Sequence, residues 1–284
     1  MSRVVTWDGS MTALSSIAHS GDSRATVTML RRELVVQPDR RAVPVPLISG
    51  NSFRGRLRRI GESLLREVLD YDGQLPLAAA HALRGGGALA KTGGEPLSGS
   101  RLAELRDLIP QVGVFGTAAG GRVIDGCLQV GKVMPVVFET AHILGLSTDG
   151  LPTVFQATQL EAYRRADDSD RVGFAQTLDV EEDVSGDRGS QLMLFRVETF
   201  PAGTEFRTWL RLEHPSDDEV DFFLEVLDVF GRSGRLGGRV AAGHGQVRLD
   251  LRCNTELAPR GRGRWRRRIA KRRSEALNAL RLLT

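Results

Sequence analysis

The sequence has few of the features that mark exported, membrane-spanning or metal-stabilised proteins. Its 284 residues include two cysteines, Cys127 and Cys253, in no CxxC or histidine-rich context. This argues against both a disulfide framework and a structural zinc site. No apolar run approaches the roughly 18 residues of a membrane span. The start, MSRVVTWDGSMTALSS, lacks the basic-then-apolar order of a signal peptide. We therefore expect a cytoplasmic protein with no membrane partner, cofactor or metal.

Signatures of common enzymes are also missing. The five histidines are scattered, with no HExxH pair, and no GxSxG elbow occurs. The segment GGGALAKT, residues 85–92, departs from a phosphate-binding loop at Ala90 and favours a flexible loop. Two acidic groups favour solvated loops over cation sites, namely Asp167, Asp168 and Asp170, and Glu181, Glu182 and Asp183.

One pair of residues suits acid–base cleavage of RNA better than the rest. His19 and Asp22 flank Gly21 in AHSGDS, where a tight turn would direct both side chains outward. We take them as candidate catalytic residues, against the commoner interpretation as surface or core residues.

Positive charge is concentrated at the C-terminus. Residues 260–284 hold ten Lys or Arg and one acid, so this segment carries +9 and residues 1–259 carry −5. Such basic ends meet nucleic acid or stay solvated. We predict a nucleic-acid-binding tail, with these candidate contacts: Arg262, Arg264, Trp265, Arg266, Arg267 and Arg268.

A second basic group lies in the segment VPLISGNSFRGRLRRIGESLL, residues 45–65. Apolar residues recur from Phe53 at helical spacing, which predicts a helix with one buried stripe. Four arginines occupy its first turns, where the helix dipole favours acids, and Arg54 and Arg58 are expected on an exposed face. We interpret them, with free N–H groups at the preceding SGNS turn, as a seat for phosphates. A solvated charged face is the alternative.

The other elements follow from periodicity and turn residues. We predict strands at 12–18, 26–36 and near 122–138, helices at 75–83, 100–109 and 216–230, a hairpin over 190–213, and a closing strand after the glycine-rich loop GRSGRLGGR. Residues 37–46 are expected to form a loop or edge. This order suggests an α+β fold with a ferredoxin-like, RRM-type βαββαβ sheet that carries large insertions.

Three segments resemble the RAMP superfamily of CRISPR-associated proteins. They are PLISGNSFRGRLRR, VFGTAAGGRVIDGCLQVGKVMPV and GRLGGRVAAGHGQVRLDL, which together span about residues 44–251. They are most similar to the "Cas-seven" backbone subunits, and MTALSSIAHSGDS most resembles the type IV (Csf-type) version. The resemblance implies a subunit that polymerises head to tail along CRISPR guide RNA, with other effector subunits and a DNA or RNA target as further partners.

The resemblance also implies an organisation into a hand-shaped molecule. The palm would comprise residues 1–70, 111–150 and 191–251, the fingers 71–110, the thumb 151–190 and the basic tail 252–284. By the same resemblance, the RNA-binding residues would be Ser49, Asn51, Ser52, Arg54, Arg58, Arg59, Arg235, Gly237, Gly238 and Arg239.

Three functions are therefore open. The leading one is a non-catalytic RNA-binding scaffold. The second is a metal-dependent ribonuclease of the same superfamily that cuts guide-bound RNA through His19 or Asp22. The third is a monomeric nucleic-acid-binding protein that acts through residues 260–273.

Overall fold

The computed structural model describes residues 3–87, 99–119, 122–164, 194–255, 263–281 and 283. The α-helices are α1 Gly50–Leu69, α2 Leu77–Gly85, α3 Gly99–Leu108, α4 Pro110–Phe115, α5 Ala141–Leu144, α6 Asp217–Ser233, α7 Arg264–Lys271 and α8 Arg273–Arg281. The strands are β1 Val4–Ala13, β2 Ser20–Arg24, β3 Val27–Leu30, β4 Arg32–Val36, β5 Ala42–Pro46, β6 Thr117–Ala119, β7 Arg122–Ile124, β8 Leu128–Val130, β9 Met134–Pro135, β10 Gln159–Arg164, β11 Leu194–Thr199, β12 Glu205–Glu213 and β13 Val247–Cys253.

The central sheet has the strand order β13-β1-β12-β8, with β9 also paired to β12. All of its pairs are antiparallel. α1 lies in sequence between β1 and β8, and α6 between β12 and β13. The fold is therefore mixed α+β, and this order is consistent with the predicted ferredoxin-like core.

Alternation along the strands places α1 and α6 against one face of this sheet. In β12, Phe206, Thr208, Leu210 and Leu212 are buried, and the residues that alternate with them are exposed or half-buried. The N-cap of α6 is Ser216. Its hydroxyl accepts the backbone N–H of Glu219, and the carboxylate of Glu219 accepts the backbone N–H of Ser216. Edge-to-face packing of Trp7 on Phe223, with ring centroids 5.4 Å apart, joins the sheet to α6.

A second sheet has the order β10-β11-β3-β2. The predicted hairpin over 190–213 is wrong, because its two strands lie in different sheets. β11 pairs with β10 and β3, and β12 is paired on both edges within the central sheet. A Pro-Ala-Gly turn favours a hairpin locally, but the occupied edges of β12 decide the pairing.

Other boundaries also differ from those predicted. The central strand β1 begins at Val4, whereas the predicted strand at 12–18 overlaps only its end. The predicted strand 26–36 divides at Arg31 into β3 and β4, and the predicted strand near 122–138 is three short strands. α4 was not predicted. Predicted helices at 53, 75–83, 100–109 and 216–230 are confirmed within a few residues, as is the closing strand.

The C-terminal segment is a packed part of the fold, which corrects the expectation of a free tail for Trp265, whereas Arg264 and Arg267 are exposed. Trp265 is fully buried, and its indole Nε1 donates to Glu225 at 2.7 Å. Arg266 pairs with Glu225 and Glu67. Amphipathic α7 buries Trp265 and Ile269, which explains why the segment docks.

The acidic body supplies partners for the basic end. Arg268 pairs with Asp107 and Asp218, and Arg272 also reaches Asp107. Arg264 is 3.9 Å from Asp218, whereas exposed Arg267 has no ion-pair partner among the described residues. The acidic side chains of residues 1–259 therefore neutralise much of the positive charge of residues 260–284.

Several predictions fall outside the described residues. These are most of the 85–92 loop, both acidic groups, Arg262 and residues 165–190 of the predicted thumb. Within the described part of the chain, no helix is long and apolar enough to cross a bilayer.

Candidate nucleic-acid interface

The start of α1 is built by the SGNS turn. Ser49 is the N-cap, and its hydroxyl accepts the N–H of Ser52 at 3.2 Å. Gly50 lies against β8, because a Cβ there would be 2.6 Å from the carbonyl oxygen of Val130. No acid occupies the first turn. The opening N–H groups, including that of exposed Asn51, therefore face no local negative charge.

His19 is part of this helix start. Its Nε2 accepts the backbone N–H of Ser49 at 3.3 Å. Burial lowers the pKa of His19, and the positive charge of Arg31 lowers it further. Asp22 is exposed on β2, and no hydrogen bond joins it to His19 in the described structure. The geometry gives His19 a positioning role at the N-cap, with no catalytic pair formed.

This arrangement predicts an acid-sensitive fold. The folded protein favours neutral His19, whereas the unfolded chain protonates it with the ordinary pKa of 6.5, so stability is expected to fall as the pH drops below about 6.5. His19→Gln keeps an acceptor for Ser49 and removes this titration. Urea unfolding at about pH 7.5 and about pH 5.5 measures the free energy of unfolding of the wild-type protein and of His19→Gln. Equal pH dependence of the two would contradict this role for His19.

Two of the four arginines donate hydrogen bonds to the end of another helix, α4. Arg54 donates to the carbonyl of Phe115 at 2.5 Å, and Arg58 donates to the carbonyls of Phe115 and, at 2.8 Å, Gly116. These carbonyls end α4, where partial negative charge collects. The predicted exposed face is therefore wrong for Arg58, which is 6% exposed, and Arg54 is half-buried.

In the described structure, neither of these two side chains has a carboxylate among its hydrogen-bond partners. Burial lowers the pKa of Arg58 to about 10, with a smaller contribution from the charge of Arg54. Arg58 still carries its proton at neutral pH. An anion beside this pair would therefore relieve an uncompensated positive charge.

Of the other two arginines in this group, Arg56 lies near both Arg59 and Arg235 of the glycine-rich loop. Burial lowers the pKa of Arg56, and the charges of Arg59 and Arg235 lower it further. The Nε of Arg56 is buried without a hydrogen-bond partner in the described structure. Arg59 is exposed, and Arg235 donates to the carbonyl of Val240 at 3.2 Å. We call Arg56, Arg59 and Arg235 the arginine band.

A cleft of about 520 Å³ adjoins the band at Arg59. Its walls include Arg54, Arg58, Arg59 and Arg84, and Asp125 is the one acid that lines it among the described residues. Gly86 follows α2 beside Arg58 with φ +93°, a backbone conformation that other residues rarely adopt. The cleft is therefore shaped and charged for an anionic ligand.

The glycine-rich loop is hydrogen-bonded to the segment between β1 and β2 that contains His19. Gly238 donates its N–H to the carbonyl of Ala18 at 2.7 Å. Gly237 has φ +85°, and a Cβ there would be 2.3 Å from the same oxygen. Arg239 is also left-handed and stacks on Tyr163, 4.6 Å from the ring centroid. Ala18 and His19 thus join the loop to the start of α1.

The structure therefore brings together the predicted residues from α1 and Arg235, and attaches Gly237, Gly238 and Arg239 nearby. It places the tail residues elsewhere, against α6 and α3. Sequence reasoning assigned no role to Arg84 or Tyr163. Arg84 follows a helix that the sequence predicts, but no local pattern shows that this helix ends beside α1.

Comparison with known proteins identifies the family of the chain. Residues 11–248 match the RAMP superfamily. The chain belongs to the RAMP superfamily. It is also similar to a chain of a solved structure described as "Type IV-B CRISPR Complex", with 37% sequence identity and a TM-score of 0.62. That match covers 90% of this chain and 92% of the other. No protein of curated function matches the sequence.

These findings confirm the resemblance of this RAMP protein to CRISPR-associated relatives and to the type IV version. They do so over most of the chain, including the SGNS turn, α1 and the glycine-rich loop. The matched region ends at residue 248, before α7 and α8, which are additions beyond the family match.

Proposed function

We propose that this RAMP protein is a non-catalytic backbone subunit that binds CRISPR guide RNA and polymerises along it in a type IV effector complex. Other effector subunits and a DNA or RNA target are its further partners. The observation that carries the proposal is the convergence of Arg56, Arg59 and Arg235 from two distant segments, where none of the three has an acid as a hydrogen-bond or ion-pair partner among the described residues. Membership of the superfamily and similarity to a chain of a CRISPR complex support it.

The arginine band suits a phosphate backbone better than a small metabolite. Its charges are spread along α1 and onto the glycine-rich loop, and the N-terminus of α1 adds N–H donors. Guanidinium groups bind phosphate through paired donors. Contacts of this kind position a strand without reading its sequence, as a subunit that accepts any guide must do.

In the proposed hand-shaped molecule, the segments that flank the palm form the fingers and the thumb. α2 and α3 belong to the fingers, and β10 belongs to the thumb and pairs antiparallel with β11 of the palm from Gln159↔Thr199 to Arg164↔Leu194. Stacking of Arg239 on Tyr163 ties the glycine-rich loop to β10. RNA held by the band would therefore lie beside the thumb.

Reversing one charge tests the proposal. Arg59→Glu is expected to weaken binding of a labelled guide RNA by about tenfold and to flatten the dependence of log Kd on log salt by about one charge or more. Arg267→Glu is the matched control, because Arg267 is also an exposed helical arginine without an ion-pair partner in the described structure. Fluorescence anisotropy across a salt series measures both.

Two results would contradict the proposal. Equal losses in both variants would show only non-specific attraction, and a loss confined to Arg267→Glu would favour binding through the C-terminal segment. Cleavage of guide-bound target RNA that is lost in Asp22→Ala would instead establish the ribonuclease.

A further inference from the structure

In the part of the chain that the structure describes, the central sheet has exposed residues on the face opposite α1 and α6. On β12, the residues of this face are Arg207, Trp209 and Arg211, which alternate with the buried core residues. Trp209 is 41% exposed, in contrast to Trp7 and Trp265, which are 4% and 0% exposed. A large aromatic ring that is left in water at the centre of a sheet indicates a contact surface.

The indole of Trp209 is held in a fixed position. Gly131 packs against it so closely that a Cβ there would be 2.6 Å from the indole Nε1. The N–H of Gly131 donates to the carbonyl of Trp209 at 2.8 Å. Arg211 lies over the ring, with its guanidinium carbon 5.5 Å from the centroid. The ring is therefore a preorganised flat surface.

A cleft of about 710 Å³ opens beside this ring. One wall is apolar and is formed by Met134, Ile143, Leu144 and Leu146. The polar lining includes Lys132, Arg207 and Asp8, and Asp8 lies directly opposite Trp209 in the strand register. This volume lies within the range of small-molecule sites.

We propose that this cleft binds one unpaired nucleobase of a single-stranded nucleic acid, stacked on Trp209. The flat ring and the apolar wall suit the faces of a base, and Arg207 and Lys132 suit its phosphate. Arg207 is 3.6 Å from Glu205, and Lys132 pairs with Glu33, both partly exposed pairs that are weak in water. A phosphate therefore replaces these carboxylates at little cost.

Asp8 gives the site a preference among bases. A carboxylate accepts hydrogen bonds and donates none at neutral pH. It accepts from an exocyclic amine, as found on adenine, cytosine and guanine, whereas the exocyclic groups of uracil are both carbonyls and leave it one ring N–H as donor on that edge. The site therefore favours amine-bearing bases.

Intrinsic fluorescence tests the site directly, because Trp209 is the one exposed tryptophan of three. Titration of the full chain with AMP or CMP is expected to quench this fluorescence, with UMP weaker and ribose 5-phosphate without effect. Trp209→Phe removes the signal. In anisotropy with a labelled adenine hexanucleotide, Trp209→Ala is expected to weaken binding about tenfold, whereas Trp209→Phe, which keeps a stacking ring, stays within about threefold of wild type.

The outcomes separate this site from the arginine band. Quenching by AMP that persists in Arg59→Glu supports the base site whether or not the band binds guide RNA. Absence of quenching, equal quenching by ribose 5-phosphate, or unchanged hexanucleotide affinity in Trp209→Ala overturns it. Loss of self-association in Trp209→Ala, with nucleotide binding unchanged, would instead make this face a contact between subunits and also overturns it.

Discussion

Replacing Trp265 by alanine is expected to lower the free energy of unfolding by about 3–5 kcal/mol, the range found for large aromatic residues in cores. Trp265 is fully buried and packs edge-to-face on Phe222, with ring centroids 5.0 Å apart. Its indole N–H donates to Glu225, which would lose this partner. The change also releases α7, whose other buried residue is Ile269.

Denaturant unfolding of the full chain measures this effect, with Arg267→Ala as the neighbouring control. Arg267 is exposed, so its substitution is expected to change stability by no more than about 0.5 kcal/mol. A similar small effect for Trp265→Ala would mean that the C-terminal helices are not part of the cooperative fold, and would revive the interpretation as a nucleic-acid-binding tail.

The second large effect separates two neighbouring arginines of α1. Arg58→Met is expected to destabilise the protein by about 2–3 kcal/mol, because it removes a buried donor to the carbonyl of Gly116 at the end of α4. Methionine keeps an unbranched apolar chain, so the loss reports mainly the polar contacts. Arg59→Met is expected to leave stability nearly unchanged, since Arg59 is exposed.

Thermal melting and RNA binding should be measured on both variants. Arg58→Met is expected to show the stability loss, and Arg59→Met to bind RNA more weakly at unchanged stability. If Arg58→Met were as stable as wild type but defective in RNA binding, then Arg58 would act as a ligand-binding residue and its capping role would be wrong.

Elements set by local periodicity were well predicted from the sequence. The apolar stripe from Phe53 identified α1, and the acids after Ser216 identified the start of α6, because spacing and capping act within one helix. The order of these elements suggested a βαββαβ sheet, and the observed strand order is consistent with it. The partners of β11 and β12 were not predicted, because they come from distant parts of the chain.

Charge was harder to interpret than hydrophobic spacing. The sequence shows that arginines cluster, but not which of them meet acids or carbonyls in the fold. Arg266 and Arg268 find Glu225, Glu67, Asp107 and Asp218, which are remote in sequence. Arg54 and Arg58 find the end of α4, a helix that was not predicted.

The residues proposed to bind RNA are therefore the arginines that have no carboxylate partner in the described structure. They are Arg56 and Arg59 on α1 and Arg235 on the glycine-rich loop. This answers why a helix start carries four arginines and no acid in its first turn. Arg54 and Arg58 cap α4, and the other two are available to an anionic ligand.

RNA content of the purified protein tests the central claim most directly. The full chain should be expressed with its CRISPR RNA and genomic neighbours, purified in moderate salt, sized by light scattering and analysed for bound RNA by sequencing. The proposal predicts large particles that contain RNA of defined length, retained in Arg267→Glu and depleted in Arg59→Glu. An RNA-free monomer from the wild-type chain would contradict it.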